Sequence, residues 1–180
     1  MKKVIFIAML VGAMVQGFAK DIKKDFGSFS VPDNYVENKK FSTPEKPFFL
    51  TKDDDKKFSS GEVKFANNIS VEERHNRYTK ENHTAFKQAI LSQLTYQSSM
   101  AGFDLTGDGY KNKKGYVIYK FVLSPSEDLL KKRPKEPTTT QYYIIAEDYS
   151  FILVHETTAG SSPETDNAAE LIVDSFQGRE

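Results

Sequence analysis

The sequence predicts an α+β domain: an antiparallel β-sheet covered by two main amphipathic helices, an α-β-α sandwich. Three observations carry this expectation. Short alternating apolar stretches recur through the first third of the chain and again after residue 115. Two segments, one from Thr84 and one from Ser162, switch to apolar steps of three and four. The links between strands are mostly hairpin-length, which favours antiparallel pairing, and two helices with one apolar face each must cover the sheet.

The 180 residues begin with a processing signature. Lys2 and Lys3 form a positive start, Val4 to Val15 is an almost unbroken apolar run, and Gly17 and Ala19 place small residues at −3 and −1 of a cut after Ala19. The run is shorter than the ~20 residues that span a bilayer, so residues 1–19 read as a secretory signal peptide and no stable membrane anchor is expected after its removal. Residues 20–180 read as a single domain. At that size a chain buries roughly 70% of its unfolded surface and needs no disulfide staple. There is no cysteine, which removes thiol nucleophiles, thiolate metal sites and a lipid-modified N-terminal cysteine. The 25 basic and 25 acidic residues balance, and without Lys2 and Lys3 the balance is 23 against 25. No basic excess points to nucleic acid. Aromatic residues reach 13%, all Phe and Tyr, which suits strands.

Phe26–Val31 (FGSFSV) alternates as a half-buried strand, and Pro32-Asp33-Asn34 turns the chain. An extended piece follows from Tyr35, a loop with two prolines covers Ser42–Pro47, and Phe48–Leu50 is a short apolar strand. TKDDDKK from Thr51 reads as a solvated turn. GEVKF and NNISVEE read as one bent strand or two. Ala85, Phe86, Ala89, Ile90 and Leu94 mark a helix face, with Asn82 as N-cap and Gly102 as the breaker. Gly115–Leu123 (GYVIYKFVL) is apolar on both faces and reads as the central strand. Ser124 opens a long loop with a helical turn at Glu127–Lys131. Gln141–Ala146 and Phe151–Val154 flank EDYS as a hairpin with a four-residue turn. Ser162-Pro163-Glu164 starts the last helix, Ala168, Ala169, Ile172, Val173 and Phe176 form its buried stripe, and Gly178 stops it.

FDLTGDGYKNKKG, Phe103–Gly115, invites a calcium reading. From Asp104, position 5 is Asp108 and position 6 is Gly109, as an EF-hand loop requires. Thr106 is a weak ligand at position 3 and Asn112 stands at position 9. Position 12, which should be a bidentate glutamate, is Gly115, and three lysines crowd the loop. Gly107-Asp108-Gly109 therefore reads as a tight turn whose glycines supply positive φ. No metal or cofactor is expected.

His75, His83 and His155 fit no metal or catalytic spacing, and no GxSxG elbow is present. His155 shares an alternating face with Phe151 and Leu153 and reads as a packed or hydrogen-bonded sheet histidine. Gly160-Ser161-Ser162 reads as a capping turn. Lys131, Lys132, Arg133 and Lys135 form the basic cluster of the sequence and are its candidate partner-binding residues. Pro134, Glu136 and Pro137 also suit a solvated loop there.

The order of elements resembles the PsbP-like family. FGSFSVPDNY is similar to that family's opening of strand, proline, small turn and aromatic. The helix after NNISVEE, the strand GYVIYKFVL, the hairpin QYYIIAEDYSFILV and the closing AAELIVDSF follow in its order, from Phe26 to Phe176. The resemblance implies an α-β-α sandwich around an antiparallel sheet. The family includes an extrinsic subunit of the photosynthetic oxygen-evolving complex, a Ran-binding nuclear transport factor, and exported bacterial proteins of the DcrB type. Its members are typically non-enzymatic adaptors with no shared catalytic motif, so no residue role transfers. The expectation is an exported, non-catalytic accessory protein, periplasmic or secreted, that binds another protein. Two alternatives stand beside it: a carrier of a small apolar ligand lined by Tyr116, Tyr119, Tyr142 and Tyr143, and a hydrolase with dispersed site residues.

Overall fold

The structure is a computed structural model that describes residues 18–179. The signal peptide expected over residues 1–19 lies outside them except for its last two positions. Ala19 already belongs to the first strand, β1 (Ala19–Lys24). β1 pairs antiparallel with β2 (Gly27–Pro32), whose Phe29 and Val31 alternate inward as the sequence indicates.

A seven-stranded antiparallel sheet forms the body. In chain order its strands are β3 (Tyr35–Glu37), β4 (Phe48–Thr51), β5 (Asn68–His75), β6 (Phe103–Lys111), β7 (Val117–Pro125), β8 (Thr138–Glu147) and β9 (Ser150–Thr158). Their spatial order is β3-β4-β5-β9-β8-β7-β6. β9 is therefore the middle strand, and β7, expected at the centre, stands next to the edge. β7 is nonetheless covered on both faces, which is why its sequence is apolar throughout.

Helix α2 (His83–Ala101) covers one face and α4 (Pro163–Ser175) the other. The fold is thus an α+β sandwich with an antiparallel sheet flanked by helices. The cluster under α4 joins Ile118, Tyr142, Ile144, Ile152 and Val154 of the sheet to Ala168, Ala169, Ile172 and Val173 of the helix. β2 adds Phe29 and Val31 to that side. After α4, Gln177–Gly178 (β10) pairs with Gly27–Ser28, so the helix ends at Ser175 and Gly178 belongs to a three-stranded sheet, β1-β2-β10. The cluster under α2 is aromatic: Phe86 packs on Tyr143, Phe151 and Tyr78. Its buried stripe is Phe86, Leu94 and Ser98, while Ala85 and Ala89 of the expected face are exposed. Gly102 ends α2 in the left-handed region at φ 80°.

Four local expectations are overturned. TKDDDKK is not a turn but the start of α1 (Lys52–Ser60). Thr51 Oγ1 accepts the Asp54 N–H at 3.0 Å, and Asp53, Asp54 and Asp55 face the positive end of the helix dipole. GEVKF is irregular chain; the strand starts only at Asn68. Gly107-Asp108-Gly109 is not a turn either. Both glycines lie inside β6 opposite Phe121 and Tyr119, and the positive φ belongs to Gly115. The hairpin turn has two residues, Asp148 and Tyr149, because β8 and β9 both run closer to the tip than the apolar pattern.

Candidate functional site

The alternation of β9 continues beyond its apolar run. Ile152 and Val154 point toward α4, and so does Glu156, two residues on. A carboxylate thus enters the buried phase of the middle strand. Glu156 is 1% exposed, and as a carboxylate neither of its oxygens would find a hydrogen-bond donor. Its cross-strand neighbours are Ile69 of β5 and Thr140 of β8. Buried polar groups are almost always paired, so this one marks a place of interest.

Glu156 lies on the floor of a 480 Å³ cleft between α4 and the β7–β8 side of the sheet. Thr140, Tyr142 and Lys120 line it from the sheet, Asp166 and Glu170 from α4, and Ser161 from the loop before α4. The Tyr142 hydroxyl is buried and also unpaired. Lys120 is the basic residue of the lining; its Nζ lies 3.0 Å from Glu170 Oε1 and 5.1 Å from the centre of the Tyr142 ring. Burial pushes the Glu156 carboxyl up to about 8, helped by the neighbouring Asp166 and opposed by Lys120. Burial also raises the Tyr142 hydroxyl well above the usual phenol range, with Glu156 adding to the effect. At neutral pH this floor is a protonated acid and a phenol beneath two further carboxyls.

A larger groove of 1010 Å³ adjoins the cleft, and both are lined by Thr138 and Gly160. Its walls are mostly apolar: Val63 and Phe65 from the irregular segment before β5, Pro125 from the end of β7, and Leu130 and Pro134 from the β7–β8 connection. That connection contains α3 (Glu127–Lys132), capped by Ser126, whose hydroxyl accepts the Leu129 N–H. Phe65 and Leu130 are both exposed.

The structure divides the basic cluster rather than aiming it at one point. Lys131 pairs with Asp128 at 2.8 Å, both exposed, and Arg133 with the half-buried Glu136 at 3.5 Å. Lys132 ends α3 in solvent, and Lys135 stands on the rim of the apolar groove. The four tyrosines do not share a pocket. Tyr119 and Tyr143 pack under α2, Tyr142 faces α4, and Tyr116 packs edge-on against Phe176. His83 Nδ1 shares a hydrogen bond with the Tyr119 hydroxyl. His155 shares the β9 face of Phe151 and Leu153 as the alternation indicates; its Nε2 is buried and unpaired, and burial lowers its pKa. None of the three histidines lines the cleft or the groove. Among the described residues, no group of three or more His, Asp or Glu stands where it could hold one metal ion, and no helix is long and apolar enough to cross a membrane.

Solved structures of other proteins share this fold. Cyanobacterial PsbP from Synechocystis superposes with a TM-score of 0.54 at 13% identity, over 93% of this chain and 96% of that one. The Ran-binding protein Mog1p of Saccharomyces cerevisiae superposes with a TM-score of 0.52 at 10% identity, over 89% and 95%. At such identity the likeness establishes the fold alone. No family model matches the chain, and no curated protein sequence matches it.

Sequence reasoning missed Glu156, Asp166, Glu170 and Lys120. One signal was available. Ile152, Val154 and Glu156 share the phase of an alternating strand, so a carboxylate extends an otherwise apolar face.

Proposed function

We propose that this chain is an exported, non-catalytic accessory protein that binds another protein, acting in the periplasm or after secretion. The observation that carries the reading is the joined cleft and groove beside α4, which puts exposed apolar walls next to a buried, unpaired polar floor. Interfaces combine these two features, apolar anchoring and polar register. The layout of residues 1–19 supports export, and the fold shared with a Ran-binding protein supports a binding role by analogy.

Site-specific photo-crosslinking in the native host tests this. A photoreactive residue replaces Lys135 on the groove rim, or Gln88, exposed on α2 across the sheet. A discrete protein adduct from position 135 and none from 88 is the expected result. Absence of any adduct from 135, or identical patterns from both positions, counts against the reading.

The size of the apolar groove, 1010 Å³, favours a second reading, a carrier of a small apolar molecule. Solvent extraction of protein purified from its host would then yield one such molecule in stoichiometric amount.

A further inference from the structure

The floor of the cleft holds buried polar atoms with few partners. The Tyr142 hydroxyl has none, and the protonated Glu156 carboxyl has only Asp166 to donate to. Asp166 and Glu170 add carboxylates from α4, and Lys120 is the basic residue set against them. Three acids thus stand against one cation, and a second positive charge carrying several N–H donors would complete the cleft. A single metal ion is a poor answer, because among the described residues no three acids converge on one point. An ammonium or guanidinium on a flexible stem is a better one. The apolar groove adds a second requirement: the basic group must sit beside apolar residues able to rest against Phe65 and Leu130.

We propose that the cleft is a socket for a lysine or arginine side chain of the partner protein, which takes the place of Lys120 beside Glu170 and meets Glu156, while apolar neighbours of that side chain lie in the groove. The inference rests on the protein-binding reading above and specifies its chemistry. Lys120 then acts as a resident cation. Its pair with Glu170 and its position over the Tyr142 ring occupy the place an incoming cation would take. Both partners of that pair are partly exposed, so opening it costs little. Once a foreign cation faces Glu156, loss of the Glu156 proton becomes favourable, and the two charges pair in a setting of low polarity. The groups facing Glu156 are Lys120 from β7, Tyr142 from β8, Tyr35 from β3, and Asp166 and Glu170 from α4. Burial holds the Tyr35 and Tyr142 hydroxyls protonated above neutral pH, leaving Glu156 as the buried acid that can respond near pH 8.

The test is an amide NMR titration of the full chain with N-acetyl-Arg-Leu-amide and with its neutral isostere, N-acetyl-citrulline-Leu-amide. Shifts clustered at Thr140, Glu156, Ser161 and Asp166 are expected with the arginine peptide, and at least about tenfold weaker binding with the citrulline one. Affinity should rise about tenfold between pH 6 and pH 9, as Glu156 becomes easier to ionise. Glu156→Gln, a neutral isostere of the protonated acid, should abolish that rise, and Lys120→Met should strengthen binding several-fold. Equal binding of the two peptides, shifts centred elsewhere, or no shift at all would each overturn the socket. A rim crosslink from position 135 combined with any of those results removes the socket and leaves the protein-binding reading standing.

Discussion

Gly107 of β6 lies under the ring of Phe121 of β7. A methyl group built on Gly107 would stand 2.5 Å from Phe121 Cδ1, closer than carbon atoms approach. The bare backbone is therefore a packing surface, and the cross-strand pair Gly107↔Phe121 is an aromatic ring laid over a glycine. Gly109 and Tyr119 repeat the arrangement two residues on, with a contact of 3.0 Å. Gly107→Ala should destabilise the protein by about 1–3 kcal/mol, although alanine is no worse a strand residue than glycine. Urea unfolding of Gly107→Ala and Gly109→Ala measures it. A neutral Gly107→Ala would show that the ring is free to move aside.

Asn112, weighed in the sequence as a calcium ligand, fastens the β6–β7 turn to α4. Its Oδ1 accepts the N–H groups of Lys114 and Tyr116 at 3.1 and 2.9 Å, and its Nδ2 donates to the Val173 carbonyl at 2.8 Å. Asn112→Ala would leave that last-turn carbonyl and the Tyr116 N–H without partners, a loss of about 2–3 kcal/mol. Asn112→Asp keeps the acceptor and loses the donor, so it should also destabilise. A cost below about 0.5 kcal/mol for both, read from the urea midpoint, would mean that water replaces the side chain.

Calcium should leave the protein unchanged. Asp104, Thr106 and Asp108 sit on an extended strand paired with β7, so they cannot wrap an ion. Adding 1 mM calcium is expected to shift Tm by less than about 1 °C, since a ligand that does not bind the fold cannot stabilise it. A clear rise, absent from Asp108→Asn, would reverse this conclusion.

Glu156 makes stability fall as pH rises. Its pKa is raised on folding, to about 8, so the folded state holds a proton that the unfolded state releases between the ordinary carboxylate range and pH 8. The favourable contribution is complete in acid and is lost as pH climbs through 8. Glu156→Gln should match the parent near pH 5 and exceed it by about 2–4 kcal/mol at pH 9. His155 changes stability in the opposite direction: its lowered pKa penalises folding as the pH falls below the usual imidazole range. The parent-to-variant difference removes that contribution. Parallel pH curves for the two proteins would show that Glu156 is ionised and paired in the fold.

The parts of this fold legible in the sequence are those whose burial imposes a period. α4 shows its stripe from Ala168 to Phe176, the β8–β9 core shows its apolar runs, and Gly102 announces the end of α2. The parts that were not legible lack such a period. α1 buries no residue, so only the Thr51 cap and three aspartates betray it. β1 is exposed at every second position and charged at most. β6 reads as a turn because its glycines serve the rings of the next strand, a reason that lies on β7 and not in the local sequence. The candidate site was hidden for a related cause. Its acids come from β9 and α4, far apart in the chain, and only the topology brings them together beside Lys120. The basic cluster from Lys131 to Lys135 was conspicuous because it is contiguous, yet two of its members are already paired with acids of their own segment.

β6 also closes one end of the large sheet, with a row of backbone groups facing outward and no strand beyond it among the described residues. Such a rim is a ready template for the strand of a neighbouring molecule. Asp104, Asp108 and Lys111 are exposed along it, and the two glycines offer no side chains to grip. The other rim, β3, is three residues long. A stray chain that docked on either side would meet charge, or too little length to register. The charges along β6 and the shortness of β3 thus guard the molecule against aggregation through its own margins.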